Sequence, residues 1–166
     1  MEDSGLAALI DTGLQMKAFE QVISLGVKPW NNYRIIQRAP RFYSSVFDYE
    51  LESRGENILV EVKSAVLREN SYAMYSDCST LRGRRQIREL IKHVESGRRG
   101  LIVFIAALPH VKAFKPYVGG DEEVAELLKV AKSVGVELRA ISMHYEPTLL
   151  GVVLDNPDLP VVIPHQ

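Results

Sequence analysis

Hydrophobic and polar positions along this chain follow two periods, and the change from one to the other marks the elements. Between Leu6 and Leu25 the apolar residues Leu9, Ile10, Leu14, Ala18, Phe19, Val22 and Ile23 fall mostly at helical spacing. Gly26 ends that run and Pro29 keeps it ended. Asp11-Thr12 has the chemistry of a helix cap, so the region reads either as one broken helix or as two. Three strand-like runs follow: Tyr33 to Arg38, Ser45 to Glu52, and Asn57 to Lys63. The second alternates, with Phe47, Tyr49 and Leu51 on one face and Asp48 and Glu50 on the other. Arg54-Gly55-Glu56-Asn57 reads as the turn that joins it to the third.

Ser71 to Tyr75 adds a short strand. Thr80 to Glu95 then returns to helical period, with Ile87, Leu90, Ile91 and Val94 as its stripe and Gly97 beyond its end. Leu101 to Leu108 is continuously apolar, as a strand covered on both faces should be. Asp121 to Val134 is a third amphipathic helix, stopped by Gly135, and Val136 to Met143 is another strand. Gly151 to Ile163 is apolar but interrupted by Pro157 and Pro160, which predicts an edge strand or a docked tail. Strand–helix–strand at the end implies parallel pairing, and the first three strands read as an antiparallel meander. The fold class is α/β, a mixed sheet flanked by helices.

Composition narrows the function classes. The chain has 166 residues, 46% hydrophobic and 25% charged, as suits one globular domain. Neither repeat nor linker divides it, so residues 1–166 read as a single domain. A formal net charge of −1 excludes nucleic-acid binding by bulk basicity and requires a local basic face instead. The one cysteine, Cys78, allows neither an intrachain disulfide nor a cysteine-based zinc site. Without a membrane-length apolar run or an export signal, the expectation is a cytoplasmic protein that does not engage a membrane.

The candidate chemistry lies at the third strand. Strand geometry turns Glu61 and Lys63 to one face, while Ile58, Val60 and Val62 take the other. A carboxylate and an ammonium on an otherwise apolar strand are costly unless paired or used. The hairpin can bring Asp48 beside Glu61, and two converging carboxylates suit a hard divalent cation such as Mg²⁺. Lys63 would then assist an attacking water or neutralise charge on a phosphate. The bland alternative is a solvated Glu61–Lys63 face with an unrelated Asp48. Arg82, Arg84, Arg85, Arg88 and Lys92 crowd the helix that follows, and basic residues at a helix start run against its macrodipole. A bound phosphate would relieve that conflict. Otherwise the arginines form a solvated face partly neutralised by Glu89. Glu20, among Ala18, Phe19 and Val22, is either a further metal ligand or a partner of Lys17 or solvent. His93, His110, His144 and His165 show no paired spacing and read as structural or surface residues. Asp121-Glu122-Glu123 reads as dipole-compatible acids at a helix start.

These residues also carry a resemblance. From Val60 to about Ala140 the chain reads VEVKSAVLRENSYAMYSD, STLRGRRQIRELIKHVESGRRGLIVFIAA, FKPY and DEEVAELLKVAKSVGVELRA, which is similar to the sugar fermentation stimulation protein (SfsA) family. Glu61 to Ser64, Glu69-Asn70, Asp77, Thr80, Arg82 and Gly83 fall on the family's segments, and Asp11 to Leu14, Glu20 and Ser45 to Asp48 resemble its upstream ones. The resemblance implies a restriction-endonuclease-like PD-(D/E)xK core, DNA as partner, and a Mg²⁺ or Mn²⁺ site at Asp48, Glu61 and Val62, with Lys63 beside it and Glu20 as the first-helix acid. It adds Thr80 to Arg82, Arg84, Arg85 and Arg88 as nucleic-acid contacts. Many such domains act as homodimers, although the sequence has no interface signature. Val46 stands where the family usually has Arg, Met16 where a polar residue is usual, Gln86 where His is common, and Tyr75-Ser76 where Phe-Pro is usual. The family's longer members carry an N-terminal OB-type domain, which is expected to be missing here.

The first functional expectation is therefore a metal-dependent phosphodiesterase acting on DNA. The alternative is a non-cleaving DNA-binding regulatory protein on a nuclease scaffold. A protein-interaction domain with a vestigial site is the third.

Overall fold

The structure, a computed structural model, describes residues 5–164. In chain order the elements are α1 (Thr12–Ser24), β1 (Tyr33–Arg38), β2 (Arg41–Phe42), β3 (Ser45–Val46), β4 (Tyr49–Ser53), β5 (Glu56–Ala65), β6 (Leu67–Glu69), β7 (Tyr72–Tyr75), α2 (Leu81–Glu95), β8 (Arg99–Ala106), β9 (Ala113–Pro116), α3 (Glu122–Val134), β10 (Glu137–Glu146) and β11 (Gly151–Leu159). Each helix begins on a side-chain cap. Asp11, Thr80 and Asp121 accept the N–H of Leu14, Gly83 and Val124 at 3.0, 3.2 and 3.1 Å. The cap at Asp11 settles where the first helix starts. Before it the chain is extended, with Leu9 donating to the Ala107 carbonyl, so Ile10 stands exposed.

Six strands form the main sheet in the order β1-β4-β5-β8-β10-β11. The central pairs β5–β8 and β8–β10 are parallel, and the outer pairs are antiparallel. This is the expected restriction-endonuclease-like architecture, a mixed sheet flanked by helices. Arg54 and Gly55, with φ of 52° and 82°, make the two-residue turn between β4 and β5, a backbone hand that suits hairpins and favours glycine. Apolar side chains leave the sheet on both faces. Ile58 and Val60 of β5 join Leu101, Val103 and Ile105 of β8 and Phe19, Val22 and Ile23 of α1. Leu59, Ile102 and Phe104 face the other way, against Ile87 and Leu90 of α2 and Val124 and Leu128 of α3. Phe104 stacks on Phe114 of β9 at 3.9 Å between centroids.

The Ser45–Glu52 run is not one strand. It breaks at Phe47-Asp48, and Phe47 packs toward α2 while Tyr49 and Leu51 pack toward α1, so the three do not share a face. The physical reason is a side chain that replaces a rung. The β4–β5 ladder ends at Tyr49↔Val60, and the Asp48 carboxylate accepts the Val62 N–H at 2.7 Å. Periodicity also passed over β6 and β9, which pair with β7 in a separate three-stranded sheet too short to announce itself. The third strand runs on to Ala65, and the proline-broken C-terminal run is the edge strand β11. His165 lies outside the described residues.

Candidate metal and nucleic-acid site

On β5, Leu59, Glu61 and Lys63 point toward α2, and the two charged residues take positions that an all-apolar strand would give to the core. Glu61 and Lys63 are 5% and 8% exposed. Lys63 Nζ donates to Glu61 Oε1 at 2.8 Å and to Gln86 Oε1 at 2.8 Å. The other oxygen of Glu61, Oε2, is buried with no hydrogen-bond partner. A buried acceptor left unpaired is rare and calls for an explanation.

Asp48 sits half-buried at the end of the β4 ladder. Burial raises its carboxyl above the usual range, against the Val62 N–H, Lys63 and Arg82, and against Glu61, which can donate to it only when Glu61 is protonated; with both acids ionised Glu61 Oε2 has no partner. Burial likewise pushes Glu61 up to about 7, and Lys63 only partly offsets this because Asp48 repels the same charge. Asp48 and Glu61 therefore converge on one another. In a strand the N–H and C=O of one residue leave on the same edge, so the Val62 carbonyl also lies on the Asp48 side, where β4 has ended. Two carboxylates and a carbonyl are hard oxygen donors, and the orphaned Glu61 oxygen has the valence a divalent cation would fill. The donor set fits the metal that the sequence implies.

Glu20 is not in this group. Arg38 clasps it in a bidentate pair at 2.9 Å to each oxygen, and Tyr49 Oη donates to Oε1 at 2.9 Å. The Arg38 hydrogen bonds hold its carboxyl below the ordinary range. Among the described residues no three His, Cys, Asp or Glu side chains gather as a metal would need, so Asp48 and Glu61 act with main chain or not at all.

The arginines of α2 divide into two sets. Arg84 binds Asp121 at 3.0 Å and Glu123 at 2.6 Å, and Arg88 pairs with Glu123. The acids at the start of α3 thus do more than complement its dipole. Glu89 faces inward and accepts from the Ser44 N–H at 3.2 Å, not from an arginine. Arg82 is exposed, has no ion pair among the described residues, and acts electrostatically on both Asp48 and Glu61. Arg85 donates to Ser45 Oγ at 3.3 Å. The Thr80 hydroxyl is engaged as the cap of α2.

Sequence reasoning named Gln86 and Tyr75 as departures from the family pattern but gave neither a role in the site. Gln86, 2% exposed, bridges Lys63 and the Val46 carbonyl, 3.2 Å from its Nε2. Its spacing of four before Leu90 was the available signal. Tyr75 lies with its ring 6.0 Å from Lys63 Nζ, and its hydroxyl is so close to Gly83 that a β-carbon there would stand 3.0 Å away. Burial pushes its phenol up to about 12. The sequence marks it only through the Tyr75-Ser76 departure from Phe-Pro, and gives it no place in the site because β7 reaches the site through tertiary pairing. His93 meets the Tyr43 hydroxyl and His144 meets Asp155, while His110 is exposed, each away from the site.

With that geometry the relatives can be placed. The family described as "Sugar fermentation stimulation protein RE domain" matches residues 13–149. The chain belongs to this family. The sugar fermentation stimulation protein homolog of Pyrococcus furiosus is 52% identical over 163 residues, spanning 98% of this chain and 70% of that one. The homolog of Archaeoglobus fulgidus is 45% identical over 157 residues, 94% of this chain and 66% of that one. This chain therefore spans about two thirds of the length of these relatives. The solved structure of Pyrococcus furiosus SfsA in complex with Ca²⁺ superposes with a TM-score of 0.92 at 49% identity, covering 98% of this chain and 70% of that one. No helix of the described part of this SfsA-family chain is long and apolar enough to cross a membrane.

Proposed function

We propose that this SfsA-family chain is a divalent-metal-dependent phosphodiesterase acting on DNA. Asp48, Glu61 and the Val62 carbonyl are the residues that would hold Mg²⁺ or Mn²⁺. When bound, such a cation supplies charge neutralisation for both acids and polarises a phosphate oxygen. Lys63, fixed between Glu61 and Gln86, presents an ammonium beside the reacting phosphate and stabilises charge that develops there. Arg82 and Arg85, free of ion pairs among the described residues, hold neighbouring phosphates. The observation that carries the reading is the buried, unpartnered oxygen of Glu61 turned against a second carboxylate. Repulsion of that kind is relieved either by a proton held on Glu61, whose carboxyl is pushed up to about 7, or by a cation between the two acids, and above that pH the cation is the stronger stabiliser. A Ca²⁺ complex of the Pyrococcus furiosus relative is in keeping with this.

The test is incubation of purified protein with single- and double-stranded DNA in Mg²⁺, Mn²⁺ or EDTA, beside Glu61→Ala and Lys63→Ala. Cleavage should require the metal and fall by at least about 100-fold in each variant. Cleavage that survives Glu61→Ala would remove the assignment. Salt-sensitive DNA binding without cleavage in either metal would select the alternative, a non-cleaving regulatory protein on this scaffold.

A further inference from the structure

We infer that a nucleic-acid strand bound at this site leaves it over the β2–β3 ribbon, with Arg41 of the ribbon joining Arg82 and Arg85 as a phosphate-binding ledge. The inference rests on the part of the proposed function that places nucleic acid at the site; it does not require cleavage.

The charge distribution around α2 sets the direction. On the side facing α3, two arginines meet two acids: Arg84 and Arg88 are tied to Asp121 and Glu123. A phosphate there would have to displace carboxylates already in place. On the side facing the ribbon, Arg41, Arg82 and Arg85 have no acid within ion-pair distance among the described residues, and all three are exposed. Of the carboxylates on that side, Glu89 is 8% exposed and lies beneath Ser44, and Glu50, half-buried beside Phe42 and His93, accepts from Asn57, so they subtract charge without pairing with these arginines.

The ribbon is also built as a rigid support. Three consecutive residues fasten it to α2: Ser44 to Glu89, Ser45 to Arg85, and Val46 through its carbonyl to Gln86. Phe42 packs edge-on against His93 at 5.5 Å, and the Tyr43 hydroxyl meets the same ring at 3.1 Å. Arg41 pairs across the ribbon with Val46. The backbone that carries it is thus one strand spacing, about 5 Å, from the residue that touches Gln86. Arg82 stands one helical turn before Arg85 and Gln86 and already acts on Asp48 and Glu61. The three cations therefore stand at separate backbone positions on the ribbon side of α2: Arg82 and Arg85 one turn apart on the helix and Arg41 across the ribbon from Val46. A series of separated guanidinium groups on an open surface suits a polyanion with repeating phosphates, because each cation can meet its own phosphate.

Binding of a fluorescein-labelled DNA of about 20 nucleotides, measured in EDTA and in Ca²⁺ across about 50 to 300 mM KCl, tests this. Arg41→Ala and Arg85→Ala should each weaken binding about five- to tenfold and lower the salt slope by about 0.7–0.9, one phosphate contact apiece. Arg41→Lys should keep the slope, because the charge is kept. Arg88→Ala should leave it unchanged. Thermal melts of each variant separate a lost contact from a lost fold, and Arg41→Gln serves as the second variant if Arg41→Ala melts early. A slope that falls with Arg88→Ala and not with Arg41→Ala overturns the ledge. Wild-type protein that binds no DNA at the lowest salt overturns both the ledge and the nucleic-acid reading. The Arg41 pattern without any Mg²⁺- or Mn²⁺-dependent cleavage keeps the ledge and removes only the phosphodiesterase.

Discussion

Two acid–base pairs in this molecule have nearly the same geometry and opposite character. Lys63 meets Glu61 at 2.8 Å and Arg38 meets Glu20 at 2.9 Å. The first pair has side-chain exposures of 10% and 6%, the second 64% and 28%. In the second, both oxygens of Glu20 are taken by a bidentate guanidinium and a phenol, and its carboxyl is held below its ordinary range. In the first, one oxygen has no partner, a second carboxylate presses on it, and the carboxyl is pushed up to about 7. A closed pair of this sort fixes structure. An open buried pair is held in readiness at the expense of stability, and that difference, more than the presence of acid and base, separates a candidate site from a tie between α1 and β1.

The largest effect should come from dismantling the buried pair in two steps. Lys63→Met strips buried Glu61 of the ammonium that donates to it, on a strand face that otherwise packs into the α2 core, and should cost about 3 kcal/mol. Adding Glu61→Leu should recover most of that loss or exceed wild-type stability, because the second change removes a charge the core cannot solvate. Urea denaturation of the three proteins at pH 8 reads this directly. A double variant as unstable as the single one would mean the pair is a net stabilising tie like Glu20–Arg38, and the contrast would collapse.

pH should separate the pairs next. With a folded value of about 7 against an ordinary 4.5, Glu61 binds its proton more tightly in the native state. Its contribution to stability is then fully present below about pH 4.5 and lost as pH rises through about 7, an effect of at most about 3 kcal/mol. Wild type minus Glu61→Gln, followed by denaturation from pH 4.5 to 8, isolates it. Because a divalent cation would engage the ionised form, Ca²⁺ should raise the melting temperature more at pH 8 than at pH 5.5. A flat difference curve would place Glu61 in solvent-like surroundings.

Much of this was legible in the chain. The alternation along Asn57 to Lys63 puts Glu61 and Lys63 on one face, the apolar stripe defines α2, and the resemblance assigns Asp48 its neighbourhood. What could not be read was which polar groups are already satisfied. Glu20 and Glu61 are both glutamates beside apolar residues, and Arg84 and Arg82 stand two positions apart on one helix. Only the approach of distant segments decides them: Arg38 at the end of β1 takes Glu20, and Asp121 with Glu123 at the start of α3 takes Arg84. The face swap at Phe47 has the same origin, since a side chain that substitutes for a backbone rung leaves no trace in periodicity.

The smallest effect is the sharpest discriminator. Glu20→Gln keeps the shape and the hydrogen-bonding reach toward Arg38 while removing the charge, in a pair that is largely solvent-screened, so it should cost less than about 1 kcal/mol. Because its carboxyl is held low, whatever Glu20 contributes is present above about pH 4.5 and fades as pH falls, the reverse of Glu61. If the open and closed pairs are divided as argued, Glu20→Gln leaves Ca²⁺ affinity by calorimetry and cleavage within about twofold of wild type. If instead calcium affinity drops tenfold, Glu20 must release Arg38 and turn to the cation, and the closed pair is then a latch on the same site as Asp48 and Glu61.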